Sequence, residues 1–268
     1  MPDLLKLSSP QTSDFWQVPI LYRDEHLLAV DKPRGLALAA DPEDPERPNL
    51  LSLLHAGIAS QKPWAVEHGL SFLTNVHRID SEASGILVLA RHKQAQLKLA
   101  DWFGAGKPGR NYVALVEGLA ESDQFAVEGR LALHPTRHNL VVVDPKRGKA
   151  ARTRFEVLER FRNYTLLKCD ALIDRRHQVR SHLRHVRLPV VGDRAYGGKP
   201  LLLSRLKPGY QLKPDQVERP LLSTPGLHAD RLTLPHPISG QDLSITSEWP
   251  KDLNVALKYL RRFDAREQ

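Results

Sequence analysis

The sequence predicts an α+β fold built on a largely antiparallel or mixed sheet. Strand-like segments arrive in runs and do not alternate strictly with helices, which argues against a doubly wound parallel sheet. The helical segments are few, and two of them carry a single apolar face. At 268 residues, 41% hydrophobic and 26% charged, the chain has ample material for a core. It contains no internal repeat and no low-complexity tract.

Residues 1–19 read as a loosely structured arm, and residues 20–268 as one domain. Leu21–Val30 reads as a strand, a charged turn at Arg23-Asp24-Glu25-His26, and a second strand. Asp31-Lys32-Pro33-Arg34-Gly35 breaks it, and Asp41–Pro48 is a Pro- and acid-rich loop. Asn49 is placed to cap a helix over Leu50–Ala59. A polar loop around Asp80 leads into the apolar strand Ile86–Ala90, and a helix follows from His92 to Phe103, stopped by Gly104 and Gly106. Strands are predicted at Tyr112–Gly118, Asn139–Val143, Thr153–Leu158 and Tyr164–Ala171, with a turn at Asp144–Gly148. The helix over His177–Val186 places Val179, Leu183 and Val186 on one face. Residues 199–226, rich in Pro, Leu and Lys, give no clear element. Strands near Leu227–Leu234 and Leu243–Ile245 precede a last helix, which starts near Pro250 with Leu253, Leu257 and Leu260 on one face.

The net charge of +8 is unevenly distributed. Residues 131–190 hold 14 Lys/Arg against 5 Asp/Glu, whereas the rest of the chain holds 25 against 26 (39 − 14 and 31 − 5). A concentrated basic segment fits a polyanion partner, because cations gain by releasing counterions from phosphates. The lone cysteine, Cys169, excludes an internal disulfide and reads as a buried thiol in a strand. No apolar run approaches the roughly 20 residues that span a bilayer, and the N-terminus lacks a signal-peptide pattern. A cytoplasmic protein with no membrane partner is the expectation.

The most informative stretch is Val76-His77-Arg78-Ile79-Asp80-Ser81-Glu82-Ala83-Ser84-Gly85-Ile86. It sets one carboxylate at the mouth of an apolar strand, within reach of a substrate. A loop aspartate alone usually caps or solvates, so the other segments matter. In order, they are Ile20–Leu36 with its Lys32-Pro33-Arg34-Gly35 turn, then Arg110–Gly118, then His177-Gln178-Val179-Arg180-Ser181-His182-Leu183. Pro189–Asp193 with Tyr196-Gly197 comes next, and Leu227-His228-Ala229 with Leu232, His236 and Pro237 is last.

Together these segments resemble the RluA family of RNA pseudouridine synthases, from residue 20 to about 237. The resemblance implies the pseudouridine synthase fold, a long bent mixed sheet with flanking helices and a central catalytic cleft. It implies isomerisation of uridine to pseudouridine in structured RNA, with ribosomal RNA the first substrate and transfer RNA the second. That reaction is redox-neutral, so no cofactor and no metal are expected, and a monomer is the expected state.

By resemblance Asp80 is the catalytic aspartate, ionised whether it attacks the sugar or removes its 2′ proton. Arg180 matches the arginine that pairs with it. Tyr112 matches the tyrosine that stacks on uracil and is placed to take the carbon 5 proton. Arg78 fills the space left by the flipped nucleotide or holds a flanking phosphate. Leu183 closes the base pocket, and His77 and Arg175 complete the expected substrate-binding set. Read alone, Tyr112 is a half-buried strand aromatic, Arg180 a phosphate-binding cation and Leu183 core.

The match departs at Ala83, where the family often has Thr, and at Arg187, where it often has Gly. It departs again at Ile173-Asp174-Arg175-Arg176, in place of a Thr-Gly-Arg-Thr turn. These changes touch the rim, and so RNA selectivity, more than the chemistry. His177, His182 and His185 share one predicted helix, but no carboxylate or cysteine joins them at ligand spacing. The alternatives are a non-catalytic RNA-binding protein or chaperone, which would have lost the acid, and a hydrolase or nuclease, which would need a second carboxylate or a metal cluster.

Overall fold

Apolar alternation along the strands sets the architecture, and helices cover what the strands leave. The computed structural model describes residues 3–41, 44–171, 173, 175–213 and 215–266. The chain runs β1 (Leu4–Ser8), β2 (Phe15–Arg23), β3 (Leu27–Lys32), α1 (Leu50–Ala59), α2 (Pro63–Glu67), β4 (Thr74–Asn75), β5 (Ser84–Ala90) and α3 (Lys93–Gly104). It continues through β6 (Gly109–Glu117), β7 (Gln124–Leu133), β8 (Val141–Val143), β9 (Lys149–Arg160), β10 (Tyr164–Ala171), α4 (Gln178–His185) and a 3-10 turn (Arg194–Tyr196). It ends with α5 (Leu203–Leu206), β11 (Leu227–Pro235), β12 (Asp242–Thr246) and α6 (Lys251–Phe263). The fold is α+β with mostly antiparallel pairing, as the sequence predicts. No helix among the described residues is long and apolar enough to cross a membrane.

The chain falls into two compact units, Met1–Arg110 with Ala229–Ser247 and Asn111–His228 with Glu248–Gln268. Each closes a core of its own. In the first, the strand order is β1-β2-β3-β5-β11, with β4 beside β5 and β12 beside β11. Leu27, Ala29, Val88, Leu232 and Ile245 pack there against Ala95, Leu99 and Phe103 of α3. The loose arm expected over residues 1–19 is a hairpin: Leu4–Ser8 pairs with Phe15–Pro19, and Leu5 and Val18 are fully buried. Their burial outweighs the turn residues Ser9–Asp14 that made the segment look irregular. Asn49 caps α1 as predicted, its side chain accepting from Ser52 N–H at 3.0 Å. His92 caps α3 in the same way.

In the second unit the order is β6-β10-β9-β7-β8. Val113, Leu115, Leu166 and Val191 pack under Leu253, Leu257 and Leu260 of α6. Cys169 is a buried thiol, paired in register with Tyr112. Strand β7 escaped the sequence, because in Gln124–Leu133 only Val127 and Leu131 are turned fully inward.

Candidate active site

The Asp80 loop is built entirely within the first unit, between β4 and β5. Val76 and Ile79 are buried and pin it from below, while Asp80 is half-buried and Arg78 is exposed. Two buried polar side chains fix its backbone. The Lys32 ammonium, at the last residue of β3, donates to Pro33 O at 2.8 Å, Leu36 O at 2.9 Å and Ser81 O at 3.2 Å. Three donors thus meet three carbonyls. Burial pushes the Lys32 pKa down to about 7, and the nearby carboxylates of Asp80, Glu82 and Asp31 oppose that fall. Gly35 N–H also donates to Ser81 O, at 2.8 Å, so the Lys-Pro turn and the aspartate loop share one carbonyl.

His77 supplies the second anchor. Its Nε2 accepts from Val88 N–H at 2.9 Å, its Nδ1 lies 3.3 Å from Arg78 O, and its ring stacks on Phe103 at 4.5 Å. Burial, with Arg110 nearby, pushes its pKa down to about 3, so the ring is neutral. Expected among the substrate-binding residues, His77 instead has both ring nitrogens engaged inside the unit and holds the loop to β5. Gly85 starts that strand with φ +114°, and a Cβ there would lie 2.2 Å from the carbonyl oxygen of Ala229 on β11. Only glycine allows the strand to emerge from the loop at this closeness.

The other expected site residues lie in the second unit. Tyr112 is half-buried on β6; its neighbours Val113 and Leu115 pack under α6, so strand alternation sets Tyr112 on the opposite face. Arg180 and Leu183 are on α4 and almost wholly enclosed, at 1% and 0% exposure. Arg180 is held side-on by Asp193, Nε to Oδ2 at 2.6 Å and Nη2 to Oδ1 at 3.0 Å. Its guanidinium also sits 5.0 Å from the centre of the Tyr196 ring. The Tyr196 hydroxyl in turn accepts from Val141 N–H and lies 2.9 Å from His177 Nδ1. Asp193 and Tyr196 therefore aim Arg180. The sequence supplied both within matched segments but assigned neither a role.

Arg175 is half-buried just before α4, and Gln178 accepts from its backbone N–H at 3.3 Å. His177 opens the helix in a left-handed conformation, φ +54°. Of the departures noted above, Asp174 lies outside the described residues. Two of the three histidines have side-chain partners, His177 in Tyr196 and His182 Nδ1 in Thr153 Oγ1 at 2.8 Å. No group of three His, Cys, Asp or Glu that could hold a metal ion occurs among the described residues.

A buried lysine and histidine thus lock a half-exposed aspartate at a strand mouth in one unit. A bidentate acid locks an arginine on a helix in the other. Comparison with known proteins gives this pattern a class. The family described as RNA pseudouridylate synthase matches residues 26–185, and the chain belongs to that family. It is therefore an isomerase, a pseudouridine synthase. It is 32% identical over 257 residues to the ribosomal large subunit pseudouridine synthase D of Xanthomonas campestris, covering 92% of this chain and 70% of that one. It is 38% identical over 245 residues to the protein of the same name from Nitrosomonas europaea, covering 90% and 65%. The solved human RNA pseudouridylate synthase domain containing 4 superposes with a TM-score of 0.66 at 20% identity, covering 90% of this chain and 92% of that one. That structure shares the fold.

Proposed function

We propose that this pseudouridine synthase acts on a specific uridine of large-subunit ribosomal RNA, in the cytoplasm, as a monomer and without a cofactor. Similarity to relatives named for the large ribosomal subunit supports the substrate. The Asp80 loop carries the catalytic part of the reading. An acid whose backbone is fixed by Lys32 and His77, yet whose side chain stays half-exposed, suits a carboxylate that must meet a ribose.

Asp80 acts as nucleophile at the sugar or as base on its 2′ proton. The bond from ribose carbon 1′ to uracil N1 breaks, the base turns, and a bond from carbon 1′ to carbon 5 forms. Carbon 5 loses a proton and N1 gains one, so the isomerisation balances without oxidant, reductant or leaving group. Tyr112 stacks on the uracil and takes the carbon 5 proton. Arg180, held by Asp193, is by the family resemblance the arginine that favours the ionised form of the catalytic acid. Leu183 closes the base pocket, Arg175 meets RNA at the rim, and Arg78 occupies the stack left by the flipped nucleotide, which costs a few kcal/mol to open.

Pseudouridine mapping of total RNA, from cells with the wild-type protein and cells with only Asp80→Asn, tests this. One or more large-subunit sites should lose the modification in the variant. Loss confined to transfer RNA would overturn the substrate, and unchanged modification would remove Asp80 from its role.

A further inference from the structure

We propose that a cleft between β8, the outer side of α4 and the 3-10 turn, wholly within the second unit, is a phosphate-binding subsite for the RNA backbone. The proposal rests on the family reading and adds a docking point to it. The cleft has a volume of about 420 Å³, within the range of roughly 300–1,000 Å³ typical of pockets that hold small molecules. Arg137, Arg184, Arg194, His134 and His185 line it, and no carboxylate does.

Three features distinguish it from a solvated basic surface. First, among the described residues none of Arg137, Arg184 and Arg194 has a carboxylate partner, although ion pairs are made elsewhere in the unit by Arg147, Arg160, Lys168 and Arg261. Second, Ser181 lines the cleft at 3% exposure, and its buried hydroxyl has no hydrogen-bond partner among the described residues. A buried hydroxyl without a partner is costly unless a ligand supplies one. Third, the cations at the end of α4 are not needed to cap it. The carbonyls of His182, Leu183 and Arg184 already accept from the backbone N–H groups of Val186, Leu188 and Arg187.

Local structure also holds the cations around the cleft. His134 Nδ1 accepts from the backbone N–H groups of Thr136 and Arg137, fixing the turn that carries Arg137. Gly197, with φ +87°, leaves room for the Arg184 guanidinium, whose Nη1 would lie 3.2 Å from a Cβ there. Several guanidiniums converging with a hydroxyl suit a phosphodiester, which offers only acceptors and a full negative charge. Tyr196 lines the cleft and also carries Arg180 against its ring, so a phosphate seated here would sit beside the group that aims Arg180.

The test compares Arg184→Ala/Arg194→Ala, Ser181→Ala and Arg184→Lys/Arg194→Lys with wild type. Lys251→Ala/Lys258→Ala, which removes two exposed cations from α6, serves as the charge control. RNA affinity is measured against salt concentration, and pseudouridine formation is followed in single turnover at saturating RNA. For the double alanine variant the slope of log affinity against log salt should fall by about 0.7–0.9 for each phosphate that the protein ceases to neutralise. Affinity should drop tenfold or more, with the saturated rate unchanged. The lysine pair should keep most of the slope, Ser181→Ala should weaken binding with no change of slope, and the control should match wild type. An unchanged slope and affinity in the double alanine variant would overturn the subsite, as would an equal effect from the α6 control. A wild-type protein that makes no pseudouridine yet shows the slope change would overturn the activity and leave the subsite standing.

Discussion

Asp193→Ala probes how Arg180 is held. Both side chains of the pair are 1% exposed, and the contact is bidentate at 2.6 Å and 3.0 Å. Removing the carboxylate takes from a buried guanidinium its bidentate partner. Breaking a buried pair from one side costs about 3–5 kcal/mol. For a chain of this size that lowers the melting temperature by on the order of 10 °C. Asp193→Ala should therefore melt earlier by that margin and lose pseudouridine formation even at temperatures where it stays folded. The double variant Arg180→Met/Asp193→Leu separates the two effects. With both charges gone the desolvation cost goes too, so stability should return to within about 1–2 kcal/mol of wild type, since such replacements are often neutral or better. Activity should not return. If Asp193→Ala melts within about 2 °C of wild type and keeps its turnover, the pair neither supports the fold nor aims Arg180.

Asp80→Asn should abolish product while RNA affinity stays within about tenfold, because Lys32 and His77 hold the backbone of the loop; gel-shift titration beside a product assay checks both. Acid should destabilise the fold through two histidines buried in the neutral form. The folded-state pKa is about 3 for His77 and about 4 for His182, below the ordinary value of 6.5, so between these values the unfolded chain binds more protons. Stability should thus be full above pH 6.5 and fall as pH drops from 6.5 toward 4. Melting curves of wild type and His182→Asn from pH 4 to 7.5 should diverge, the variant showing the shallower slope. Gly85→Ala should cost well over about 1 kcal/mol, because the strand cannot move off the Ala229 carbonyl without losing its place beside β11; an unchanged denaturation midpoint would refute the close approach.

The sequence by itself determined the class of fold, most elements and the candidate acid. Local rules suffice for these. Asn49 caps α1, Leu253, Leu257 and Leu260 share a face of α6, and the apolar run of β5 follows a loop whose residue order carries a family resemblance. Tertiary structure decided what those rules do not encode. The first hairpin exists because Leu5, Leu7 and Val18 are buried, with α1 and α2 from later in the chain against β1. Strand β7 exists because β9 and β8 pair with it on either side, although few of its own residues are fully buried. His77 is buried with both ring nitrogens engaged, and a one-letter pattern cannot say which way a ring points. Asp193 and Lys32 stood in plain view within recognised segments, but their work depends on three-dimensional proximity. A carboxylate 13 residues after an arginine grips it only because the turn at Gly192 brings it back. A lysine reaches the carbonyl of Ser81, 49 residues away, only because β3 and β5 are paired neighbours. Spacing along the chain fixes local geometry, whereas which buried charges meet is settled by packing.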